Sequence, residues 1–459
     1  MGLFQIIDKS GDGDPELIEE KFRKKFSGKS YTNAVQYLMN TLSDVLVLLR
    51  AKNDKWFLQY FALMRAKLLF DRSLPEDGYK ELEKAQKISW EIQDLQVHSI
   101  ACRLQLNHLS EKGFKEMSEQ ELIQLQMKPK SSLELSRQIQ EHYSLYELLK
   151  YRLIHSGEAL SENDKKKLSD LVISELSLIT RGKQHNFESE KLHMLFQSFY
   201  FINIGDYRSA LKIFERLNQL FEENRQTWGS PPYDYLSFLE GILNSLRTIG
   251  YFDEMDYYIN KIQVLYIEKY TEHFQLIADQ VAAIYRLNVL ISRKEFNEAV
   301  QFIKTINPSL LKKTRAAHEE KLPELLLYVG LTFFCKNDLG QANKYISMAL
   351  SGVRRSSPLY RASRLIYVLI HYKMNNIEFL DYEIMSYKRS VNKTGGILKI
   401  EQLVFKMLKF DPKRNSVTKK RLFYKQILSS LDSIEKDKYE WQVLKYYDFT
   451  KLLRDEFFK

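Results

Sequence analysis

Apolar positions along this 459-residue chain recur at gaps of three and four residues, the spacing that marks one face of an α-helix. The stretch Leu322–Leu350 shows it most clearly. Apolar or small residues stand at Leu326, Gly330 and Phe333, and, after the polar break Lys336-Asn337-Asp338, at Leu339, Ala342, Ile346 and Ala349. The small side chains of Gly330, Ala342 and Ala349 leave room for two antiparallel helices to approach closely. The same spacing predicts helices over about 31–50, 54–71, 76–92 and 95–111, and over about 132–155 and 161–181. A shorter one over about 117–127 is expected to end at Lys128-Pro129-Lys130, because proline removes a backbone donor. Ser161-Glu162-Asn163-Asp164 is a good helix start. The alternating β-branched runs of strands are missing. The fold class expected is all-α.

From residue 187 onward one turn-and-helix phrase returns five times. It reads Gly205-Asp206-Tyr207 with Ala210 and Phe214, then Gly250-Tyr251-Phe252 with Met255 and Ile259. Lys294-Glu295-Phe296 with Ala299 and Ile303 follows, then Asn337-Asp338-Leu339 with Ala342 and Ile346, and last Asn375-Asn376-Ile377 with Leu380 and Ile384. The turns at 205, 250, 294, 337 and 375 lie 45, 44, 43 and 38 residues apart. Gly and Asn suit a turn that needs positive φ, whereas Lys294 does not. Before residue 187 the best candidate is Asp77-Gly78-Tyr79 with Leu82, although Gln86 takes its next core position.

This pattern resembles the tetratricopeptide repeat, with a small residue in the first helix and spaced alanines in the second. The spacings exceed the 34 residues of the standard repeat, so helices or loops must be longer, and Trp228-Gly229-Ser230-Pro231-Pro232 is one such loop. The resemblance covers about 187–390. It implies a tetratricopeptide-like α-solenoid, a right-handed superhelix of stacked antiparallel helix pairs. Residues 1–30 then form a polar lead-in and first helix, and 31–186 divergent hairpins or a separate helical bundle. Residues 187–390 hold the repeats, and 391–459 C-terminal helices capping the open end. Gly395-Gly396 and Asp411–Ser416 interrupt that last region, with helices expected over about 417–433 and 436–457. The second is rich in aromatics (Tyr439, Trp441, Tyr446, Tyr447, Phe449, Phe457).

Composition narrows the function classes. With 44% hydrophobic and 13% aromatic residues the chain is far from the disordered class. Its net charge of +10 comes from 69 basic residues dispersed among 59 acidic ones, as on solvated helix faces. The clusters Lys165-Lys166-Lys167, Lys312-Lys313-Thr314-Arg315, Arg354-Arg355 and Lys413-Arg414 through Lys419-Lys420-Arg421 are where phosphate contact would be sought. Cys102 and Cys335, the two cysteines, are too few for a disulfide scaffold or a zinc site and suit a reducing compartment. No apolar run approaches a membrane span and no signal peptide is visible. The expected localisation is cytoplasmic.

Motifs for chemistry are sparse. Asp8-Lys9-Ser10-Gly11-Asp12-Gly13-Asp14 with Glu19 matches an EF-hand calcium loop. It has little room for an entering helix and no partner loop, so Asp14 is expected instead to cap a helix beginning at Pro15. Gly28-Lys29-Ser30 lacks the upstream glycine of a phosphate loop, and nucleophile-elbow, zinc-peptidase and Cys-x-x-Cys patterns are missing. The histidines are scattered, and His193 and His371 are expected to serve packing. No catalytic residue, metal or cofactor is expected, and the chain is not expected to be an enzyme.

What the resemblance implies is a groove lined by the first helix of each pair. Counting back from the turns, the sixth residue is Phe199, Asn244, Asn288, Leu331 or Leu369, and the second is Asn203, Thr248, Ser292, Cys335 or Lys373. Asn244 and Asn288 thus share a register, and an asparagine both donates to and accepts from a peptide backbone. Asn203, Glu240, Asn244, Arg247, Asn288, Tyr372 and Lys373 are the candidate peptide-binding residues, expected at exposed polar positions. The function implied is a non-catalytic scaffold or adaptor that binds a peptide or partner helix. One alternative resembles the Rap-type regulators, in which an N-terminal helical bundle acts on a partner and the repeats sense a peptide. Another is a nucleic-acid-binding helical-repeat protein.

Overall fold

A computed structural model describes residues 2–11, 14–50, 54–115, 117–156, 162–181, 186–229, 231–267, 270–311, 321–353, 357–392, 396–410, 415–437 and 439–458. Among these the fold is all-α, and it divides into two compact units, residues 1–140 and 141–459. Outside the described residues lie Ser161, Gly395, the basic clusters at Lys312-Lys313-Thr314-Arg315, Arg354-Arg355 and Lys413-Arg414, and the side chains of Lys165-Lys166-Lys167.

In the first unit, α1 (Gly2–Ser10), α2 (Pro15–Lys25) and α3 (Tyr31–Arg50) meet around Leu3, Ile6, Ile18 and Phe22. α4 (Lys55–Asp71), α5 (Pro75–Glu91) and α6 (Leu95–Glu111) stack on Ala62, Ala66, Leu82, Ala85 and Ala101, whose small side chains bring the helices close. α7 (Glu119–Ser156) begins in this unit and ends in the second. It runs straight through the break expected at Lys128-Pro129-Lys130. One missing backbone bond is outweighed by burial of Ser132, Leu135 and Ile139 just beyond the proline.

The second unit continues with α8 (Glu162–Arg181) and then runs in pairs. These are α9 (Phe187–Asn203) with α10 (Tyr207–Glu223), α11 (Tyr233–Ile249) with α12 (Phe252–Ile267), and α13 (Glu272–Ser292) with α14 (Phe296–Thr305). α15 (Leu322–Cys335) with α16 (Leu339–Ser351) and α17 (Pro358–Lys373) with α18 (Ile377–Asn392) complete the set. Each helix packs on the next, and the first helices α11, α13, α15 and α17 also touch one another in turn, so one core runs from Phe187 to Leu453. This is the helical-repeat arrangement of stacked pairs. α13 is long and apolar enough to cross a membrane by length and composition, but most of it is buried inside the stack.

All five turn residues adopt the left-handed backbone, with φ of 76° at Gly205, 80° at Gly250, 63° at Lys294 and 62° at Asn337 and Asn375. The next residue returns its N–H to the carbonyl five positions back: Asp206 to Phe201, Tyr251 to Leu246, Glu295 to Leu290, Asp338 to Phe333 and Asn376 to His371. That closure satisfies an otherwise orphaned helix-end carbonyl. It holds Lys294 in a conformation its side chain disfavours. The following acid often begins the next helix as well, with Asp206 accepting from the Ser209 N–H and Asp338 from the Gln341 N–H.

The first unit uses the same turn at Ser73, Gln93 and Gly113, where φ is 59°, 58° and 67°. Leu74, Asp94 and Phe114 close it onto Leu69, Ser89 and Leu109. No turn occurs at Asp77-Gly78-Tyr79. Gly78 lies inside α5, with the Phe70 ring 2.9 Å from where a Cβ would stand.

Beyond α18, α19 (Lys399–Phe410), α20 (Val417–Lys436) and α22 (Phe449–Phe458) pack on one another. The helix expected over 436–457 is interrupted. It becomes the single turn α21 (Trp441–Leu444) and α22, joined by the non-helical residues 445–448. This part returns along the stack. α21 packs on α17, and Trp441 lies 6.1 Å from the Tyr207 ring at the start of α10.

Candidate functional site

The slot three residues before each turn holds Ile202, Arg247, Ile291, Phe334 and Tyr372. Four of the five are apolar or aromatic, so the slot points into the packed layer, and Arg247 is carried there with them. Its guanidinium is buried rather than exposed. Nη1 donates to Glu324 Oε1 (2.6 Å) and to the Tyr328 hydroxyl (2.9 Å), and Nη2 donates to Asn244 Oδ1 (2.7 Å). The Tyr285 and Tyr446 rings lie 5.0 and 5.1 Å from the guanidinium carbon, within cation–π range. Burial works against the Arg247 charge, but Tyr328 and Glu324 beside it hold it protonated. Burial likewise pushes the Glu324 carboxyl up, and Arg247 and Lys321 outweigh it, leaving it below the ordinary value.

Asn288, also buried, donates Nδ2 to the same Tyr328 hydroxyl (3.3 Å). The Asn244–Asn288 register therefore converges on one network. Both asparagines are engaged, not exposed: Asn244 accepts from Arg247 of its own helix, and Asn288 donates across to Tyr328 of α15. Glu240 pairs with Lys321 at the edge of this network. Asn203 lies farther along and donates its amide to the Phe199 carbonyl of its own helix (2.7 Å).

Two cavities flank the network. One, of about 380 Å³, is lined by Asn203, Glu240, Asn244, Arg247 and Lys321 over aromatic walls that include Tyr285 and Tyr446. The other, of about 370 Å³, is lined by Arg247, Asn288, Ser292, Cys335 and Lys373, and is closed on one side by Leu444–Asp448. Lys373 sits 4.2 Å over the Phe334 ring. Burial pushes the Cys335 thiol up to about 11, against the lowering effects of Lys373 and a hydrogen bond with Tyr447. Six of the seven candidate residues line one cavity or both; Tyr372 lines neither and packs against the core.

Tyr285 and Tyr328 were overlooked, though both stand nine residues before their turns (294 − 9 and 337 − 9), a register that could have flagged them. Lys321 and Glu324 carry no such signal. Tyr446 arrives from the far end of the chain.

Elsewhere, the calcium-loop candidate is not formed as a loop among the described residues. Asp8 and Ser10 end α1, Glu19 pairs with Arg23 in α2, and Asp14 caps α2 at the Glu16 N–H (3.0 Å). Asp12 and Gly13 lie outside the described residues. His193 shares Glu175 with His142, each ring Nδ1 3.0 Å from Glu175 Oε1, and His371 packs beside Tyr367 and Phe379. No cluster of metal-ligating side chains occurs among the described residues.

Stacked helix pairs with a repeated left-handed turn define an all-α helical-repeat protein. No protein-family model matches the chain, and no curated protein does. Among solved structures, the apo form of RapI aligns over 82% of this chain and 97% of its own, at 12% identity and a TM-score of 0.40. The fold assignment rests on the helix pairs and their turns, not on that alignment.

Proposed function

We propose that the second unit is a non-catalytic interaction module, and that the first-helix layer around Arg247 holds an extended peptide. The observation that carries this is the convergence of Asn244, Arg247 and Asn288 between two cavities that mix aromatic walls with paired charges. Such a lining suits a peptide, whose backbone asks for donors and acceptors and whose side chains ask for apolar pockets. Within this layer the pairs Arg247–Glu324 and Lys321–Glu240 balance positive with negative charge, which suits a peptide better than a phosphate backbone.

The test is selection of binders from a random peptide library against the full chain. Asn244→Ala should weaken a selected peptide by roughly tenfold, the worth of one or two hydrogen bonds. A library that yields no specific binder, or binders indifferent to both Asn244→Ala and Asn288→Ala, would remove the groove from consideration. A peptide-sensing regulator is a second reading, favoured by the division of the described residues into two compact units. The first unit would then act on a partner.

A further inference from the structure

We infer that residues 445–448 are a built-in occupant of the first-helix layer, and that the ligand of this layer is an extended peptide presenting an aromatic side chain to Arg247 and displacing them. The inference rests on the peptide-binding reading above and names both the ligand's chemistry and its competitor.

Three observations carry it. The first is position: Tyr446 and Arg247 both line the two cavities, so a side chain of the C-terminal region stands with Arg247 where the two linings meet. The second is chemistry, because this segment already behaves as a ligand would. The Tyr446 ring lies over the Arg247 guanidinium, and Tyr447 meets the Phe334 ring edge-on at 6.3 Å and hydrogen-bonds with Cys335.

The third is that the seat is covered but not satisfied. Arg247 Nε and Asn288 Oδ1 are buried without a hydrogen-bond partner among the described residues. Buried polar groups are nearly always paired. One is a donor and the other an acceptor, and both side chains bond the same Tyr328 hydroxyl. A peptide group offers the complement, a carbonyl for Nε–H and an N–H for Oδ1. The Tyr446 ring over the guanidinium makes a cation–π contact in place of the hydrogen bond to Nε–H.

The joint is also suited to release. Residues 445–448 are non-helical, so they can lift while α21, with Val443 in the core, stays seated on α17. A tethered occupant competes at an effective concentration on the order of millimolar. A free ligand must therefore bind better than the segment does, and the unpaired donor and acceptor are where it can.

The chain's two cysteines make the test direct, because Cys335 lies beneath Tyr447 and Cys102 serves as an internal reference. N-ethylmaleimide labelling would be followed at each cysteine by peptide mapping. In Tyr446→Ala/Tyr447→Ala, Cys335 should label about tenfold faster through loss of its cover, with Cys102 unchanged. A synthetic peptide with the sequence of residues 439–448 should bind this variant at least about tenfold more tightly than the native chain, which carries the competitor. It should also slow Cys335 labelling again, and a scrambled peptide should not. Unchanged Cys335 labelling, or equal peptide affinity for both chains, would overturn the inference.

Cys102 lies in the other unit and reports only the reagent, so the fold of the variant is read from its melting transition; should that be lost, the native chain decides. A library-selected peptide should then speed tryptic cleavage after Lys445. Binding without faster cleavage would leave the peptide site standing and remove the displacement. A library with no binder would remove both.

Discussion

On α13, burial raises the Asp279 carboxyl to about 6, so at neutral pH the folded chain keeps a charge that water would hold more easily. The folded value lies above the ordinary carboxylate value of about 3.9. Between the two the folded state binds more protons than the unfolded one, so stability falls as pH rises through this window, and the loss is complete above about 6. Asp279→Asn should stabilise the protein by about 1 kcal/mol at neutral pH, partial solvation having reduced the full effect. At about pH 4 the gain should vanish. Urea denaturation at the two pH values reads both, and equal gains would show that charge is not the cause. At this same scale Asn244 and Asn288 were legible in the sequence through their shared register. It did not announce their burial, because exposure depends on what lies above a helix face and not on the helix itself.

Individual helices were legible where the 3.6-residue period was strong, as in α3 and α5. Pro129 misled because a local rule met a long helix held by a row of buried positions at Pro129, Ser132, Leu135 and Ile139. The left-handed turns at Ser73 and Gln93 carry no sequence signal, because neither residue type favours that backbone, and there the closing hydrogen bond and helix packing impose it. The α15–α16 hairpin shows how tightly two helices can be drawn together. A Cβ on Gly330 would stand 2.6 Å from Ile346 Cδ1 and 3.3 Å from the Ile346 backbone nitrogen. Gly330→Ala should therefore destabilise by roughly 1–3 kcal/mol, and Ala342→Phe, at a fully buried position, by at least as much. Thermal melts would show it. Unchanged curves would mean the two helices separate freely, and the contact would have no role in register.

Across the second unit, the helix stack was legible from its five phased turns, but the return of the C-terminal segment was not. Tyr446 meets a residue 199 positions away (446 − 247), and nothing in the local pattern near either residue anticipates that meeting. The turns have a consequence for how such a chain can change length. Within a pair, one residue closes the first helix and, where it is Asp206 or Asp338, also starts the second. A single added residue would part those two tasks and leave both helix ends open. The described part of one connection between pairs, residues 224–229, carries no such double duty, and alternation of direction puts it at the opposite end of the helices. Added residues should therefore be tolerated better there than at the turns within pairs. A Gly-Ser pair inserted after Asn337 should lower the melting temperature by several degrees, the loss of roughly 1 kcal/mol or more at the two helix ends. The same pair inserted after Gly229 should leave it nearly unmoved, and equal sensitivity at the two sites would show that the stack has no permissive side.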